Sequence, residues 1–194
     1  MKFNSGNSIG LLGGTFDPIH LGHLHIIETL AGKFDQIALI PTGQPWMKPE
    51  TPIAKPKQRL EMCEAALEDL TEAAQEKAFV IDIEVEKSGL SYTFDTLQSL
   101  RAFFPRDNFT LILGTDAAFS FNKWKRPEDI KKMAEILVVK RPGAKPSDFK
   151  ELEVNAPDIS STDVREELAA TGKTTKVSKN VMAYIKQNGL YGSK

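Results

Sequence analysis

The three histidines of the chain, His20, His23 and His25, lie close together just after the glycine pair Gly13-Gly14. Glycine has no Cβ atom, so a Gly-Gly turn can bring backbone N–H groups close to an anion such as phosphate. A helix that begins after this turn would favour the anion further through its N-terminal dipole. His20 and His23 are three residues apart and would share one side of that helix. The segment therefore predicts a phosphate site in which His20 and His23 are donors and His25 points elsewhere.

An ordinary turn with surface histidines is the structural alternative for this segment. The residues match neither G-x-G-x-x-G nor the P-loop pattern, so the known dinucleotide and triphosphate fingerprints do not apply. Two histidines alone would leave a metal ion short of ligands, and no Cys/His spacing in the chain is typical of zinc. We therefore predict no protein-bound metal, and this segment alone leaves the turn and the phosphate site both open.

A second candidate is the segment ISSTDVR, residues 159–165. Ser160, Ser161 and Thr162 stand directly before a helical pattern, and Arg165 lies in its first turns. One hydroxyl would serve as the helix N-cap. Because a cap gives no reason for three hydroxyls and an arginine, the segment also predicts a cradle for a polyphosphate.

Composition excludes several broad classes of protein. The 194 residues are 41% hydrophobic and 26% charged, as in ordinary globular domains. The 25 basic and 26 acidic residues give a net charge of −1, which argues against a nucleic-acid or membrane partner. Cys63 is the single cysteine, and its helical context predicts a core position rather than a catalytic thiol. No signal-peptide pattern or long apolar run is present, so we expect a cytoplasmic setting.

Short apolar runs alternate with helical patterns along most of the chain. Strands are predicted at 8–14, 36–41, 78–85, 109–114 and 134–141, and helices at 21–34, 56–74 and 93–104. This alternation predicts an α/β protein with a Rossmann-like, doubly wound parallel sheet. In such sheets ligands bind beyond the carboxyl ends of the strands.

The last part of the chain has a different character. Residues 141–158 are rich in proline and predict a loop with room for one strand. Helices are predicted at 161–172 and 178–192, with Gly172 and Gly189 placed as C-terminal caps. We therefore expect a core over 1–158 and a small helical C-terminal subdomain over 159–194, joined in one compact unit.

GGTFDPIHLGH and ISSTDVR together resemble the two signatures of the nucleotidylyltransferase superfamily, (H/T)xGH and ISSTxxR. Within that superfamily the chain is similar to the bacterial nicotinate-nucleotide adenylyltransferases, essentially from end to end. The further segments that carry this similarity are PTGQPWMKP, SYTFDTL, GTD, NKW, KRPG and YIKQNGLYG. The resemblance implies transfer of the adenylyl group of ATP to nicotinate mononucleotide, which gives deamido-NAD and pyrophosphate in NAD biosynthesis. It also implies Mg²⁺ bound with the ATP phosphates, mostly keeping its waters.

The resemblance also implies roles for individual residues. It implies that the phosphates of ATP are bound by the catalytic residues His20, His23 and Arg165 and by the hydroxyls of Ser160, Ser161 and Thr162. It implies that the shared nucleotide phosphate is bound by the backbone amides of the turn Gly13, Gly14, Thr15 and Phe16. For the nicotinate ring and its carboxylate it implies Tyr92 and Thr93, with Trp124 stacked on the ring. The other implied nucleotide contacts are Gly114 and Asp116 at the adenosine ribose, Lys48 at a phosphate, and Arg141.

Several of these residues have structural alternatives of their own. Asp116 follows a predicted central strand and could cap the next helix, and Tyr92 and Thr93 could be cap and core. Trp124 stands in the charged stretch NKWKRPED, where a stacking platform is more expected than a core tryptophan. The chain departs from the family where many members carry Pro-Pro-His-Lys, because residues 45–48 read Pro-Trp-Met-Lys.

Two other functions stay open on the sequence. Another transferase of the superfamily would use the same two signatures with a different acceptor, such as nicotinamide mononucleotide or phosphopantetheine. A non-catalytic nucleotide-binding protein is the alternative from another class. It would not need His20, His23 and Arg165 to control charge at the α-phosphate. The sequence does not distinguish a monomer from a homo-oligomer.

Overall fold

A computed structural model describes residues 6–46, 53–140 and 145–193. The strands in chain order are β1 (Ser8–Gly14), β2 (Gln36–Pro41), β3 (Gln44–Pro45), β4 (Ala78–Val80), β5 (Leu90–Ser91), β6 (Asn108–Gly114), β7 (Glu135–Lys140) and β8 (Lys150–Glu153). Six of them form one parallel sheet in the order β4-β2-β1-β6-β7-β8, and β3 pairs with β5 in a small separate sheet. The predicted Rossmann-like α/β fold is confirmed.

The helices pack on both faces of the large sheet. In chain order they are α1 (Leu21–Ala31), α2 (Pro56–Leu67), α3 (Glu72–Gln75), α4 (Thr93–Phe103), α5 (Thr115–Ser120), α6 (Pro127–Met133), α7 (Ser161–Thr171) and α8 (Lys179–Gln187). Short 3₁₀ turns cover Phe121–Lys123 and Leu190–Gly192. Within the three described ranges, no helix has the length and apolar character needed to cross a membrane.

Alternate residues of each central strand face opposite layers of the core. In β1, Leu11 belongs to the cluster that α4 and α6 cover, while Leu12 belongs to the cluster shared by α1, α2, α7 and α8. A strand covered on both faces must be apolar throughout, which explains the continuous hydrophobic runs in the sequence. Cys63 is fully buried in α2, as its helical context predicts.

The order of the strands reverses between β1 and β6. From β1 the chain builds outward through β2 and β4, and from β6 it builds in the other direction through β7 and β8. Connections that leave neighbouring strands in opposite directions open a crevice at the carboxyl ends of those strands. Both candidate segments, residues 13–25 and 159–165, lie at this crevice.

The C-terminal helices share the core of the sheet domain. Val164 of α7 and Val181 of α8 are fully buried in the same cluster as Ile27 of α1 and Met62 of α2. The predicted cap at Gly172 is confirmed, because this residue takes the left-handed conformation (φ 71°) directly after α7. Residues 159–193 thus pack on one face of the sheet, in the apolar cluster that they share with α1 and α2.

Several predicted boundaries are wrong; the helix expected over 178–192, for example, ends at Gln187. Two others have an identifiable cause. The helix expected over 56–74 is divided, because both the backbone N–H and the hydroxyl of Thr71 donate to the Glu28 carboxylate of α1, at 2.7 and 2.6 Å. The strand expected over 78–85 ends early, because the carbonyl of Asp82 accepts from the N–H groups of Val85 and Glu86 in a turn. In both places a tertiary contact or a turn overrides the local pattern.

A fully buried arginine joins the chain segments around the crevice. Arg59 of α2 donates to the carbonyls of Thr15 (2.7 Å), Gly43 (2.7 Å) and Ala54 (3.3 Å). Burial lowers the pKa of the Arg59 guanidinium, and the nearby Asp17 carboxylate acts in the opposite direction. This one side chain therefore fixes the ends of β1 and β2 relative to the start of α2.

Arg59→Met is expected to lower the free energy of unfolding by about 3–5 kcal/mol, because it leaves buried carbonyls and a buried carboxylate without their cation. Urea denaturation measures this. Lys57→Met is the matched control, since it also replaces a cation of α2 by methionine but at an exposed position, where about 0.5 kcal/mol or less is expected. Equal losses in the two variants would contradict the structural role of Arg59.

Candidate active site

A single cleft of about 1020 Å³ lies beyond the carboxyl ends of the central strands. It brings together most of the residues selected from the sequence. Those that line it are Gly13, Gly14, Thr15, Phe16, His20, His23, Thr93, Gly114, Asp116, Trp124, Ser160, Ser161, Thr162 and Arg165. Lys48 and Arg141 lie outside the described residues, as does Met47.

The glycine turn at the end of β1 is shaped by the ring of Phe16. Phe16 has a left-handed backbone (φ 51°), and its ring folds back over Gly14. A Cβ atom on Gly14 would lie 2.9 Å from Cζ of that ring, so only glycine fits there. A Cβ atom on Gly13 would meet no described atom within 4 Å, because this residue faces the open cleft. Gly14 thus allows the Phe16 ring to pack closely on the backbone, and Gly13 leaves the backbone accessible from the cleft.

His20 and His23 form a stacked pair at the start of α1. Their ring centroids lie 3.7 Å apart, and the edge of the Phe16 ring lies against His23 with centroids 5.0 Å apart. The backbone N–H of His20 donates to Nδ1 of His23 at 3.2 Å. Since Nδ1 of His23 is an acceptor, the proton of its neutral ring is assigned to Nε2. His25 is exposed and does not line the cleft, as predicted.

Gly22 allows His20 to take this position, a role that sequence reasoning missed. A Cβ atom at Gly22 would lie 3.1 Å from Cε1 and Nδ1 of His20 and 3.2 Å from the carbonyl oxygen of Pro157. Such contacts are tighter than ordinary van der Waals packing. The glycine between the two histidines is therefore a requirement of the packing, and the H-x-G-H spacing was the signal for it.

The hydroxyls at the start of α7 all have structural partners. Ser160 is the N-cap: its Oγ accepts from the N–H of Asp163 (3.1 Å), and its own N–H donates to the Asp163 carboxylate (3.0 Å). Ser161 Oγ donates to the carbonyl of Pro18 (2.9 Å), and Thr162 Oγ1 accepts from Arg165 Nη2 (3.2 Å). The argument that packing accounts for only one hydroxyl is therefore wrong. Ser161 attaches α7 directly to the turn before α1.

Arg165 reaches the same turn with its other nitrogen. Its Nη1 donates to the carbonyl of Asp17 at 2.6 Å and lies 3.8 Å from the Asp17 carboxylate oxygen Oδ2. About 18% of the side chain is exposed, on the side that lines the cleft. Arg165, His20, His23 and the N-terminus of α7 thus face one region of the cleft, which makes it suited to anions.

The opposite wall of the cleft carries aromatic and small polar side chains. Trp124 packs on Phe121 with ring centroids 5.4 Å apart. Its buried Nε1–H has no hydrogen-bond partner within the described residues. Trp46 also lines the cleft, whereas Tyr92 is not one of its lining residues, although its ring centroid lies 5.9 Å from that of Trp46. Thr93, the first residue of α4, faces the cleft directly.

Gly114 and Asp116 stand at the end of β6. Gly114 is the N-cap residue of α5, and Asp116 lies exposed in the first turn of that helix. The alternative that Asp116 itself caps the helix is therefore wrong. Its carboxylate is available at the edge of the cleft.

Lys145 and Glu84 are among the cleft residues that were not found from the sequence. Lys145 lines the cleft from a loop without any periodic pattern. Glu84 lines it as a buried carboxyl that accepts a hydrogen bond from Thr96 Oγ1 at 2.7 Å. Burial raises the pKa of Glu84, although hydrogen bonds from Thr96 and Ser91 and the charge of Lys87 act in the opposite direction. Glu84 was hidden because its segment had the alternating pattern of a strand.

Carboxylates in the cleft do not assemble into a metal site. Within residues 6–46, 53–140 and 145–193, no group of three or more His, Cys, Asp or Glu side chains could hold a metal ion. Asp17 directs its oxygens to two backbone N–H groups and a tyrosine hydroxyl. A divalent cation at this cleft would thus have to bring most of its ligands with it.

Replacing Glu84 by glutamine should make the protein less sensitive to pH. The raised pKa means that the folded state favours the neutral carboxyl. The contribution of the neutral Glu84 carboxyl to stability is therefore fully present below pH 4.5, the ordinary pKa of a glutamate. It is lost as the pH rises through the folded-state pKa. Glutamine keeps an acceptor for Thr96 and cannot ionise. The free energy of unfolding of Glu84→Gln relative to the native protein should thus rise between about pH 4 and about pH 8.

Urea denaturation across that range measures the difference. Glu86→Gln, at an exposed position nearby, corrects for the loss of one negative charge. A relative stability of Glu84→Gln that stays flat or falls with pH would contradict the penalty assigned to the ionised form.

Comparison with known proteins shows which protein family the chain belongs to. Residues 11–167 match the family described as Cytidylyltransferase-like. A protein of Dehalococcoides mccartyi is 36% identical over 94% of this chain and 96% of its own, and one of Geobacillus kaustophilus is 34% identical over 96% and 87%. Both are named "Probable nicotinate-nucleotide adenylyltransferase".

Two solved structures have the same fold. One is described as Plasmodium falciparum nicotinic acid mononucleotide adenylyltransferase complexed with APC, and the other as the same enzyme complexed with NaAD. The first has a TM-score of 0.80 at 19% identity, covering 97% of this chain and 98% of that one. The second has 0.81 at 20%, covering 96% and 98%. The chain therefore belongs to the Cytidylyltransferase-like family and, within it, to the nicotinate-nucleotide adenylyltransferases.

Proposed function

We propose that the protein transfers the adenylyl group of ATP to nicotinate mononucleotide, which yields deamido-NAD and pyrophosphate in NAD biosynthesis. One observation carries this proposal. A single cleft joins an anion-binding end, formed by the glycine turn, His20, His23 and Arg165, to a wall that carries Trp124. The names of the relatives give the same activity.

The reaction needs no covalent intermediate on the protein. A 5′-phosphate oxygen of the mononucleotide attacks the α-phosphorus of ATP, and the bond from that phosphorus to the bridging oxygen of pyrophosphate breaks. The nucleophile is already an anion, so no general base is required. The protein must hold the two phosphates in line against their repulsion and neutralise the charge that moves to the leaving group.

The residues at the start of α1 and α7 fit this task. Nδ1 of His23 accepts from the backbone N–H of His20, so Nε2 is the ring nitrogen that carries the proton and is proposed as the donor to phosphate. His20 stacks against that ring, and the absence of a Cβ atom at Gly22 leaves room for its imidazole. Arg165 adds a permanent positive charge from the facing helix. We assign these three side chains to the phosphates of ATP, where donors that are already in place stabilise developing charge most effectively.

Mg²⁺ enters this proposal as part of the substrate. The carboxylates that line the cleft are hydrogen-bonded to the protein or stand at its edge, so they do not form a cage for the ion. We propose that the ion arrives on the ATP phosphates and keeps most of its waters. The cytoplasmic setting expected from the sequence also stays a prediction.

The acceptor is proposed to bind at the Trp124 wall. Nicotinate has a flat ring and a carboxylate, so an indole face and a buried N–H without a partner among the described residues suit the two parts of that group. The proposed site for the adenosine ribose is the edge formed by Gly114 and Asp116, since a carboxylate there can accept from ribose hydroxyls.

A pyrophosphate-release assay tests the proposed function. The protein receives ATP and Mg²⁺ with nicotinate mononucleotide, nicotinamide mononucleotide or phosphopantetheine in parallel. Highest kcat/KM with nicotinate mononucleotide is expected. Preference for phosphopantetheine would indicate another transferase of the superfamily, and no turnover with any acceptor would indicate a nucleotide-binding protein without this activity.

His20→Ala and His23→Ala are each expected to lower kcat by about 10²–10³, the scale for losing one donor to the transition state. Steady-state kinetics at saturating ATP measures the effect. His25→Ala removes an imidazole from the exposed side of the same helix and should leave kcat close to the native value. Near-native turnover of either cleft variant would contradict the assignment.

Trp124→Ala should raise the KM for nicotinate mononucleotide by about tenfold, because stacking on an aromatic ring contributes about 1–1.5 kcal/mol beyond buried area. The KM for ATP should change little. Trp124→Phe keeps a smaller aromatic ring and removes Nε1–H, so comparing the two variants shows how much of the effect an aromatic ring alone restores. An effect confined to ATP would be evidence against an acceptor site at this wall.

A further inference from the structure

Behind the proposed phosphate site, a buried carboxylate is held by distant parts of the chain. Asp17 is 3% exposed. Its Oδ2 accepts from the N–H of Ile53 at 2.8 Å, and its Oδ1 accepts from the N–H of Ala54 at 3.1 Å and from the hydroxyl of Tyr191 at 2.6 Å. The hydroxyl of Tyr191 is its nearest donor.

Tyr191 reaches Asp17 from a turn with an unusual backbone. Tyr191 itself has φ 56°, a conformation that is uncommon for a residue with a large side chain. Gly189 (φ 58°) and Gly192 (φ 77°) flank it, and a Cβ atom on Gly192 would lie 3.3 Å from Cα of Ala169 in α7. The turn is therefore fixed against α7 in a strained form that places the phenol in the core. Such strain persists where the surrounding structure requires it, often near functional sites.

Arg165 and the buried Arg59 are both cations near Asp17, and within the described residues neither donates a hydrogen bond to its carboxylate. Arg165 Nη1 lies 3.8 Å from Oδ2 of Asp17, which is beyond hydrogen-bond distance. The described hydrogen bonds of the other nearby cation, Arg59, go to carbonyls. The Asp17 carboxylate thus accepts its hydrogen bonds from neutral donors. The guanidinium of Arg165 stays available to anions in the cleft.

We propose that Tyr191 is a positioning residue, whose hydroxyl holds the Asp17 carboxylate away from Arg165 so that the arginine stays directed at phosphates in the cleft. A buried carboxylate that loses a donor must find another. Without the tyrosine hydroxyl, Asp17 would close on Arg165 Nη1 and draw it away from the cleft. Burial and the bond to Asp17 raise the pKa of Tyr191, which keeps the phenol protonated as a donor.

This inference rests on the proposed role of Arg165 at the ATP phosphates, and its test separates the two. Calorimetry measures the binding of a non-hydrolysable ATP analogue with Mg²⁺ to the native protein, Tyr191→Phe and Tyr184→Phe. Tyr184 is the matched control, because its hydroxyl also donates to a carboxylate, that of Glu61, at the packing of α8 on α2 and outside the cleft. No binding by the native protein would contradict the proposed function itself.

Tyr191→Phe is expected to raise the Kd for the ATP analogue by about tenfold, as for weakening one charge-assisted contact. The KM for the acceptor should stay within about twofold. Tyr184→Phe should leave both constants within about twofold. A similar Kd in the two variants would overturn the inference, because the loss of any tyrosine hydroxyl bonded to a carboxylate would then account for the result.

Two further measurements test the mechanism and not only the loss of a contact. A crystal structure of Tyr191→Phe should show Arg165 Nη1 closer to the Asp17 carboxylate than 3.8 Å, and an unchanged distance would overturn the inference. In an Asp17→Asn background the ionic pull on Arg165 is absent, so adding Tyr191→Phe should change the Kd for the analogue by less than about twofold. Additive effects of the two substitutions would contradict it.

Discussion

The carboxylate of Asp17 is the constraint on which the geometry of the cleft depends. It lies in the turn between β1 and α1 and accepts hydrogen bonds from the residues just before α2 and from Tyr191 near the end of the chain. Its backbone carbonyl also accepts from Arg165 of α7. Since these contacts are far apart in sequence, the turn between β1 and α1 takes its shape only when the sheet, α2 and the C-terminal helices are all in place.

The cleft combines this rigid frame with donors aimed at its interior. The ring of Phe16 rests on Gly14 and on the edge of His23, and His23 stacks on His20. Side chains that are fixed in advance lose little freedom when a charged substrate binds, which is the condition under which electrostatic stabilisation is most effective. Adenylyl transfer between two anions needs positioning and charge neutralisation more than it needs proton transfer, so this arrangement matches the proposed reaction.

Much of the fold could be predicted from the sequence, because strands covered on both faces must be continuously apolar and helices need their caps. The glycine turn, the histidine pair and the start of α7 were found because their spacing is local. Asp17, Gly22 and Glu84 were not, since their roles arise from contacts with Tyr191, Pro157 and Thr96 that no local pattern reveals. For the hydroxyls of α7 the spacing predicted a phosphate cradle, which stays a prediction, but it did not reveal that each hydroxyl also has a structural hydrogen bond.

The central claim is that one cleft holds both substrates, with the phosphates at the histidine pair and the acceptor ring at Trp124. A crystal structure of the protein with nicotinate adenine dinucleotide tests this most directly. The account predicts the diphosphate bridge within hydrogen-bond distance of the glycine turn and the His20–His23 pair, the adenosine ribose at Asp116 and the pyridine ring against Trp124. A dinucleotide bound in the reverse orientation, or outside the cleft, would contradict it.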